Sequence, residues 1–462
     1  MHPGPPRTAW FGPAVWGPAL VAGVLWSATG AQPALANTGE VFGLGSRSAA
    51  QAGAVAASAA DFSACYYNPA GLVFAHRPEL TLGASWFHSR LAIEGRPREI
   101  ENPFGILIGG VQPLPLGGVL QNRISTGIAL FLLPDRLVRV IARRPEEAFF
   151  PLYDNRTQRL VVLPALALRL HPRVAVGAAA NVLARLDGHV VAREGSARAL
   201  EPRVDEQIRT TAKLHAGLRV RPPVPGDRLD VGVTYRQRFS VPFRTTTRNT
   251  IAGEPLDLDV EAEGLFTPHQ IVGGAAYDLA PGPRVEGDLA WLFWSRYGGP
   301  YVDVDASLPL LAPVSANLPR LDYRDVWAAR LGVEQPLRVR VGVLALRAGG
   351  HFEPTPVPDQ PGASNQIDGD KLTLSAGVGL AIGGTRFRVD AHGLVQIVRE
   401  RRLKKRLAAC FETACDRENP ADALVDEDLS PDNGYQISNV GYPSISGGGR
   451  IWAGGLTLTV GL

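Results

Sequence analysis

The chain has 462 residues, 45% of them hydrophobic and 20% charged, and its 47 basic and 44 acidic side chains leave a formal net charge of +3. So even a balance gives no support to nucleic-acid binding or to a polybasic membrane surface. Beyond the N-terminus the longest apolar runs are 128–133 and 160–168. A membrane-crossing helix needs roughly 20 such residues, so a helical membrane protein is excluded. The mean hydropathy of +0.01 is nevertheless high for a soluble chain this charged. A barrel whose strands alternate lipid-facing and lumen-facing side chains averages to such a neutral value.

The N-terminal segment carries one cation, Arg7, then an apolar stretch over 13–29 and the small-residue site Ala34-Leu35-Ala36. This predicts a cleaved export signal over 1–36 and a mature start at Asn37, the alternative being an N-terminal anchor helix. Residues 37–76 precede the first strand signal and are predicted to form a separate small domain. They contain Gly43-Leu44-Gly45-Ser46-Arg47, a small-residue stretch over 49–60, and Asp61-Phe62-Ser63-Ala64-Cys65-Tyr66-Tyr67-Asn68-Pro69-Ala70-Gly71-Leu72. Small residues let short helices pack closely, and Asn68-Pro69 forces a turn where a helix must stop.

From residue 77 to 462 the sequence alternates with period two, which predicts an all-β, antiparallel transmembrane barrel. The predicted strands are 77–92, 105–114, 123–133, 159–170, 173–188, 207–221, 228–246, 265–279, 284–297, 324–335, 340–352, 371–382, 386–400 and 449–462. Their number is even, as a barrel with both ends on the periplasmic side requires. In 386–397, Phe387, Val389, Ala391, Val395 and Ile397 share the lipid face, and Arg388, Asp390, His392 and Gln396 the lumen face. Leu229, Val231, Val233 and Tyr235 likewise oppose Asp230, Thr234, Arg236 and Arg238, and Trp452, Leu456, Leu458, Val460 and Leu462 oppose Thr457 and Thr459. A soluble sandwich would not need charges repeatedly on its inner face.

Turn lengths orient the barrel. His171-Pro172, 280–283, Pro336-Leu337 and Gly383-Gly384 are tight and predicted periplasmic, while 134–158, 298–323, 353–370 and 401–448 are long and predicted extracellular. Trp291, Trp294, Tyr297 and Tyr301 are predicted to belong to an aromatic girdle, with ligand stacking as the alternative. The spacing of Cys410 and Cys415 suits a local disulfide in an oxidising compartment. Cys65 stands alone. No His or carboxylate cluster with zinc spacing accompanies the cysteines, and His76, His88, His269, His351 and His392 sit in no nucleophile or metal motif. No enzyme activity, cofactor or metal is therefore expected.

The block 43–72 resembles the N-terminal hatch of the FadL-type outer-membrane transporters, whose pattern is a Gly-x-Gly-Ser-Arg opening, an Ala/Gly-rich helix, an acidic residue and a Tyr-Asn-Pro-Ala-Gly ending. A second stretch is similar to the same family: Tyr323 to Gly332, Leu346-Arg347-Ala-Gly-Gly350, Glu353-Pro-Thr-Pro-Val-Pro-Asp359 and Asp368-Gly369-Asp370-Lys371. The resemblance implies a monomeric, fourteen-stranded barrel in the outer membrane of a Gram-negative cell, its lumen plugged by the hatch. It also implies passive transport of hydrophobic small molecules, such as long-chain fatty acids or hydrocarbons, which leave sideways through the wall. Gly43, Gly45, Ser46, Arg47, Asn68, Pro69, Ala70 and Gly71 are then expected to fix the plug.

For a carboxylate-bearing ligand a luminal guanidinium is the natural partner. Arg330 and Arg347 alternate to the lumen side with Ala328 and Ala345; a salt bridge to Glu334, Asp325 or a hatch carboxylate is the alternative for each. Loop 134–158 is unusually apolar, with Phe149 and Phe150 among its members. It is either a landing site for hydrophobic ligand or packing against neighbouring loops. Arg401, Arg402, Lys404, Lys405 and Arg406 could meet lipopolysaccharide phosphates or simply be solvated. A general porin, an adhesive or structural barrel, and, more remotely, an outer-membrane enzyme are the rival functions.

Overall fold

The structure is a computed structural model; it describes residues 43–462 apart from 99, 101–103, 133–146, 155–160, 195–199, 252–253, 280, 300–301, 309–310, 317–319, 363, 406–440 and 442. The export signal, Asn37, Tyr301, Arg406, Cys410 and Cys415 lie outside the described residues.

Fourteen antiparallel strands close into one barrel. They are β1 (Glu79–Ile93), β2 (Phe104–Pro113), β3 (Ile124–Leu132), β4 (Val161–His171), β5 (Val174–Glu194) and β6 (Leu200–Val220). Four interrupted strands follow: β7 (Leu229–Arg236, Phe239–Ile251), β8 (Glu254–Thr267, His269–Asp278), β9 (Arg284–Phe293, Val302–Leu308) and β10 (Leu311–Ala316, Val326–Val339). The last four are β11 (Gly342–Glu353), β12 (Lys371–Ile382), β13 (Phe387–Lys404) and β14 (Ser444–Gly461). Each strand pairs with the next, and β14 returns to β1 in a continuous register from Glu79↔Gly461 to Ile93↔Gly447. No helix among the described residues is long and apolar enough to cross a membrane. A closed barrel is an architecture in which every backbone group finds a partner even within lipid.

The two faces separate as the alternation requires. Leu82, Trp86, Leu166, Leu289, Leu331, Leu374 and Leu456 are exposed around the outside, while their neighbours Thr81, Asp288, Thr373 and Thr457 are buried within. Each apolar side chain returned to hydrocarbon contributes about 1.5–3 kcal/mol. A continuous outer belt is therefore the main tie between this barrel and lipid.

The structure corrects three expectations. Strands β5 to β10 run further outward than predicted, and 298–323 includes two strand segments, Val302–Leu308 and Leu311–Ala316. Above the lipid these hairpins need no apolar outer face, so the period-two signal fades there. The turn predicted at Pro336-Leu337 lies at Arg340-Val341 instead. Pro336 pairs with Ala345 on one side, whereas the ladder to β9 ends at Glu334, so its missing N–H costs no rung. Finally, of the described residues predicted for the girdle, Trp291 alone lies at the outside, stacked on the exposed Trp327 at 5.0 Å. Trp294 and Tyr297 are buried: Trp294 continues the inward parity of Ala290 and Leu292, and the 3-10 turn at Trp294–Arg296 brings Tyr297 inward beside it.

Candidate functional site

The described residues ahead of β1, 43–75, lie against the inner wall. Gly43 and Gly45 both have φ of +86°, a region glycine enters without steric cost. The pair brings Leu44 back to donate its N–H to Tyr67 Oη at 3.1 Å. Ser46 is buried beside them at the start of a short helix, α1 (Ser46–Ala49). Asn68 staples the segment: its Nδ2 donates to the carbonyls of Ala56 (2.7 Å) and Leu218 (3.1 Å), and its Oδ1 accepts from Ala70 N (3.2 Å). Pro69 then opens a 3-10 turn over Pro69–Phe74, where its missing N–H is no loss. A Cβ on Gly71 would lie 1.9 Å from the Ala59 carbonyl, and one on Gly217 of β6 would lie 2.1 Å from Asn68 Oδ1. A Cβ on Gly232 of β7 would likewise lie 2.1 Å from the Ala56 carbonyl, so plug and wall are fitted backbone to backbone there.

Charge holds the same segment near the periplasmic end. Arg47 donates from Nε and Nη2 to Glu334, both at 3.1 Å. Glu334 accepts from Arg347 (2.5 Å), Arg347 donates to Asp390 (2.7 Å), and Asp390 accepts from Arg388 (3.0 Å). Arg388 in turn lies 3.7 Å from Asp61. A chain of ion pairs therefore leaves the plug at Arg47, runs across the wall from β10 to β13 and returns at Asp61. Burial disfavours the Asp61 charge, but Arg47, Arg388 and the bonds from Ser63 outweigh it and hold the carboxyl below its usual range. On the adjoining strand β9 Asp288 accepts from the N–H groups of Val55 and Ala56 (3.1 Å each), and Glu286 from that of Ala57 (2.6 Å). Arg236 donates to the carbonyls of Tyr66 and Tyr67.

Above the plug the lining changes character. Phe266, Trp294, Tyr297 and Tyr323 form a buried aromatic group, with Phe266 stacked on Tyr297 at 4.6 Å. Ala290, Leu292, Val326, Ala328, Leu394 and Val398 complete this apolar layer. Its roof comes from two outer loops: Phe149 bridges in parallel to Gln366, its N–H donating to Asn365 O and its carbonyl accepting from Ile367 N. Phe149, Phe150, Leu152 and Tyr153 are all buried, and Tyr153 Oη donates to Gln396 of β13 at 2.8 Å. Lys405 closes the roof from the side, its ammonium donating to the carbonyls of Gln360, Gly362 and Ser364. Arg401 donates to Val357 O and Asp359.

A polar row runs beneath this layer. Register places Asp288, Arg330, His351, Thr373 and Gln396 side by side across β9 to β13. Among the described residues Arg347 is fully engaged by two carboxylates, whereas Arg330 has no hydrogen-bond or ion-pair partner. The two arginines that sequence reasoning treated alike thus differ. Asp288, Glu286 and Arg236 were not singled out as plug contacts; their inward parity, charged side chains facing a lumen that the segment 43–75 fills, is the signal that could have found them. No group of His, Cys, Asp and Glu among the described residues could hold a metal ion.

No protein-family model matches the sequence, and no curated protein is similar to it. Solved structures are similar in fold. A FadL homologue from Pseudomonas aeruginosa superposes with a TM-score of 0.55 at 13% identity, covering 93% of this chain and 100% of that one. The toluene transporter TodX of P. putida gives 0.54 at 14% identity, with coverages of 91% and 99%. The toluene transporter TbuX of Ralstonia pickettii gives 0.51 at 15%, again with 91% and 99%. The protein is a closed, internally plugged barrel with the FadL-type fold. The named structures that share its fold are transport channels, not enzymes.

Proposed function

We propose that the protein is a FadL-type channel of the Gram-negative outer membrane that passes small hydrophobic molecules, fatty acids or hydrocarbons, without an energy source. The observation carrying this reading is the apolar, aromatic layer of Phe150, Phe266, Trp294, Tyr297 and Tyr323 enclosed between plug and roof. An open polar porin has no use for it. The fold shared with toluene transporters supports the same reading. A molecule crossing the charged lipopolysaccharide gains about 0.8 kcal/mol per CH₂ on re-entering an apolar phase, so lateral release into the bilayer needs no further driving force. Residues 1–36 act as the removed export signal, 37–76 as the plug and 77–462 as the barrel, working as a monomer among lipid and lipopolysaccharide.

Arg330, which faces Asp288 across the register but makes no hydrogen bond or close ion pair, supports a second ligand class beside neutral hydrocarbons, amphipaths bearing a carboxylate. The test is mass spectrometry of lipophilic molecules retained by the purified protein, followed by uptake of oleate and toluene in cells with and without it. Retained lipid-like ligands displaced by oleate are expected. Arg330→Gln should weaken oleate retention and leave toluene uptake intact. Equal uptake of both compounds by cells lacking the protein overturns the transport reading in favour of an adhesive or structural barrel.

A further inference from the structure

The basic run at the top of β13 divides between two faces. Arg401 and Lys405 turn inward and hold the roof, whereas Arg402 and Lys404 are exposed on the outside of the wall. A bulge causes the division. β13 slips its register against β14 between Val398 and Arg401, so even positions, buried from Asp390 to Val398, face outward above it, and Leu403 and Lys405 take the inner side. Arg399, at the bulge itself, is exposed as well.

The closing seam of the barrel lies beside this face. β14 pairs with β1 so that Arg450 stands directly opposite Arg90, and both are exposed. Their parity is that of Leu82 and Trp86 on β1 and of Leu456 and Leu458 on β14, so both guanidiniums leave the outer surface. Like charges directly opposite one another on neighbouring strands are destabilising. Among the described residues Arg90, Arg399, Arg402, Lys404 and Arg450 have no carboxylate partner, and the exposed Glu400 is paired with none of them. Five cations thus share one outer face without a counter-ion.

Their height is set by β1. From Leu80 to Arg90 the strand climbs about 26 Å, at roughly 3.4 Å per residue and about 40° of tilt. The apolar band of such a barrel is about 25 Å tall. The arginine pair therefore stands at the edge of the band away from the short turns, level with the headgroups of the outer leaflet. Just beneath it the wall is aromatic. Arg90 Cζ lies 5.5 Å from the centre of the Trp452 ring, and its Nε donates to His88 Nε2 at 3.3 Å. Trp86 lies over Gly454 of β14, where a Cβ would come within 2.3 Å of the indole. One apolar strip therefore crosses the seam and continues down through the exposed Leu82 and Leu456.

A cationic crown above an apolar strip is complementary to a lipid that carries several acyl chains and more than one phosphate. Guanidiniums take phosphate oxygens through paired hydrogen bonds. A zwitterionic headgroup would instead bring its own cation to a face already rich in them.

We propose that the outer face of β13, β14 and β1 docks one acylated, bisphosphorylated saccharide lipid of the lipid A type. Its phosphates are held by Arg90 and Arg450 with Arg399, Arg402 and Lys404, and its chains lie along Trp86, Leu82 and Leu456. The bound phosphates relieve the repulsion between Arg90 and Arg450 and so tie the first strand to the last. The source of the lipid rests on the outer-membrane reading; the chemistry of the face does not. The test places the full-length protein in phosphatidylcholine nanodiscs doped with bisphosphorylated lipid A, the same lipid stripped of both phosphates, or phosphatidylglycerol, and counts retained lipid by native mass spectrometry. One bisphosphorylated lipid per barrel is expected, and about tenfold less of either other lipid. Arg90→Gln with Arg450→Gln should lower retention about tenfold, while Arg90→Lys with Arg450→Lys should restore most of it. Arg338→Gln with Arg340→Gln, exposed at the opposite end of the barrel, should change nothing. Heat-dependent gel mobility identifies the closed barrel in each variant, and the comparison of lipids on the unaltered chain needs no variant to fold. Equal retention of the dephosphorylated lipid, retention untouched by the double Gln substitution, or displacement of the lipid by inorganic phosphate alone overturns the site. The expected retention in a chain that fractionates away from the outer membrane supports the site and removes the outer-membrane reading.

Discussion

The lower and upper halves of the lumen are held by different physics. Below, the plug is fixed by charge and by backbone hydrogen bonds, in the chain Arg47–Glu334–Arg347–Asp390–Arg388–Asp61 and in the N–H groups received by Asp288 and Glu286. Above, the layer under the roof is held by aromatic stacking and burial. Directional contacts among buried charges lose much of their energy if any partner moves, whereas apolar contacts exchange one neighbour for another at little cost. The contrast assigns rigidity to the floor and accommodation to the space above it.

Breaking the floor should have the larger effect. Glu334→Ala leaves Arg47 and Arg347 short of a shared carboxylate, and removing one partner of a buried pair typically costs about 3–5 kcal/mol. The expected outcome is a loosened plug, seen as raised ion conductance in planar bilayers and greater sensitivity of cells to bulky antibiotics. Trp294→Ala in the upper layer should cost about 3 kcal/mol, the low end for a buried tryptophan, because ligand or neighbouring rings can refill the space. Its signature is altered ligand retention with unchanged conductance; a conductance rise equal to that of Glu334→Ala would erase the distinction between the halves. The smallest effect concerns acid. The depressed Asp61 carboxyl contributes stability that is present above its unfolded value and is lost as pH falls through its lower folded value. Plug anchoring, followed by conductance, should therefore hold through mildly acidic buffers and weaken only below the ordinary carboxylate range, and Asp61→Asn should remove that pH dependence.

Where two constraints coincide in the chain, the sequence is readable. β12 was predicted over the span it occupies, Lys371–Ile382, because one face meets lipid and the other polar lumen throughout. The hairpins of β5 to β10 above the lipid have no such second constraint, and their upper parts read as loops. Trp294 illustrates a subtler loss: its even parity with Asp288 and Ala290 already pointed inward, but aromatic clustering suggested the rim. Glycine contacts such as Gly217 on Asn68 leave no mark in any local pattern. Nor could the difference between Arg347 and Arg330 be seen from the chain, since it depends on Asp390 of β13, three strands away in the sheet from β10 and two from β11, lying beside one arginine and not the other.

The cylinder is completed by its first strand meeting its fourteenth, with Thr81 and Thr459 hydrogen-bonded at 2.9 Å across the join. The plug is tethered directly to that first strand. Assembly therefore resembles closing a zipped sleeve around something already placed within: the tether must lie on the inside before the final edge docks, and a segment stranded outside at that moment would have no later opportunity to enter.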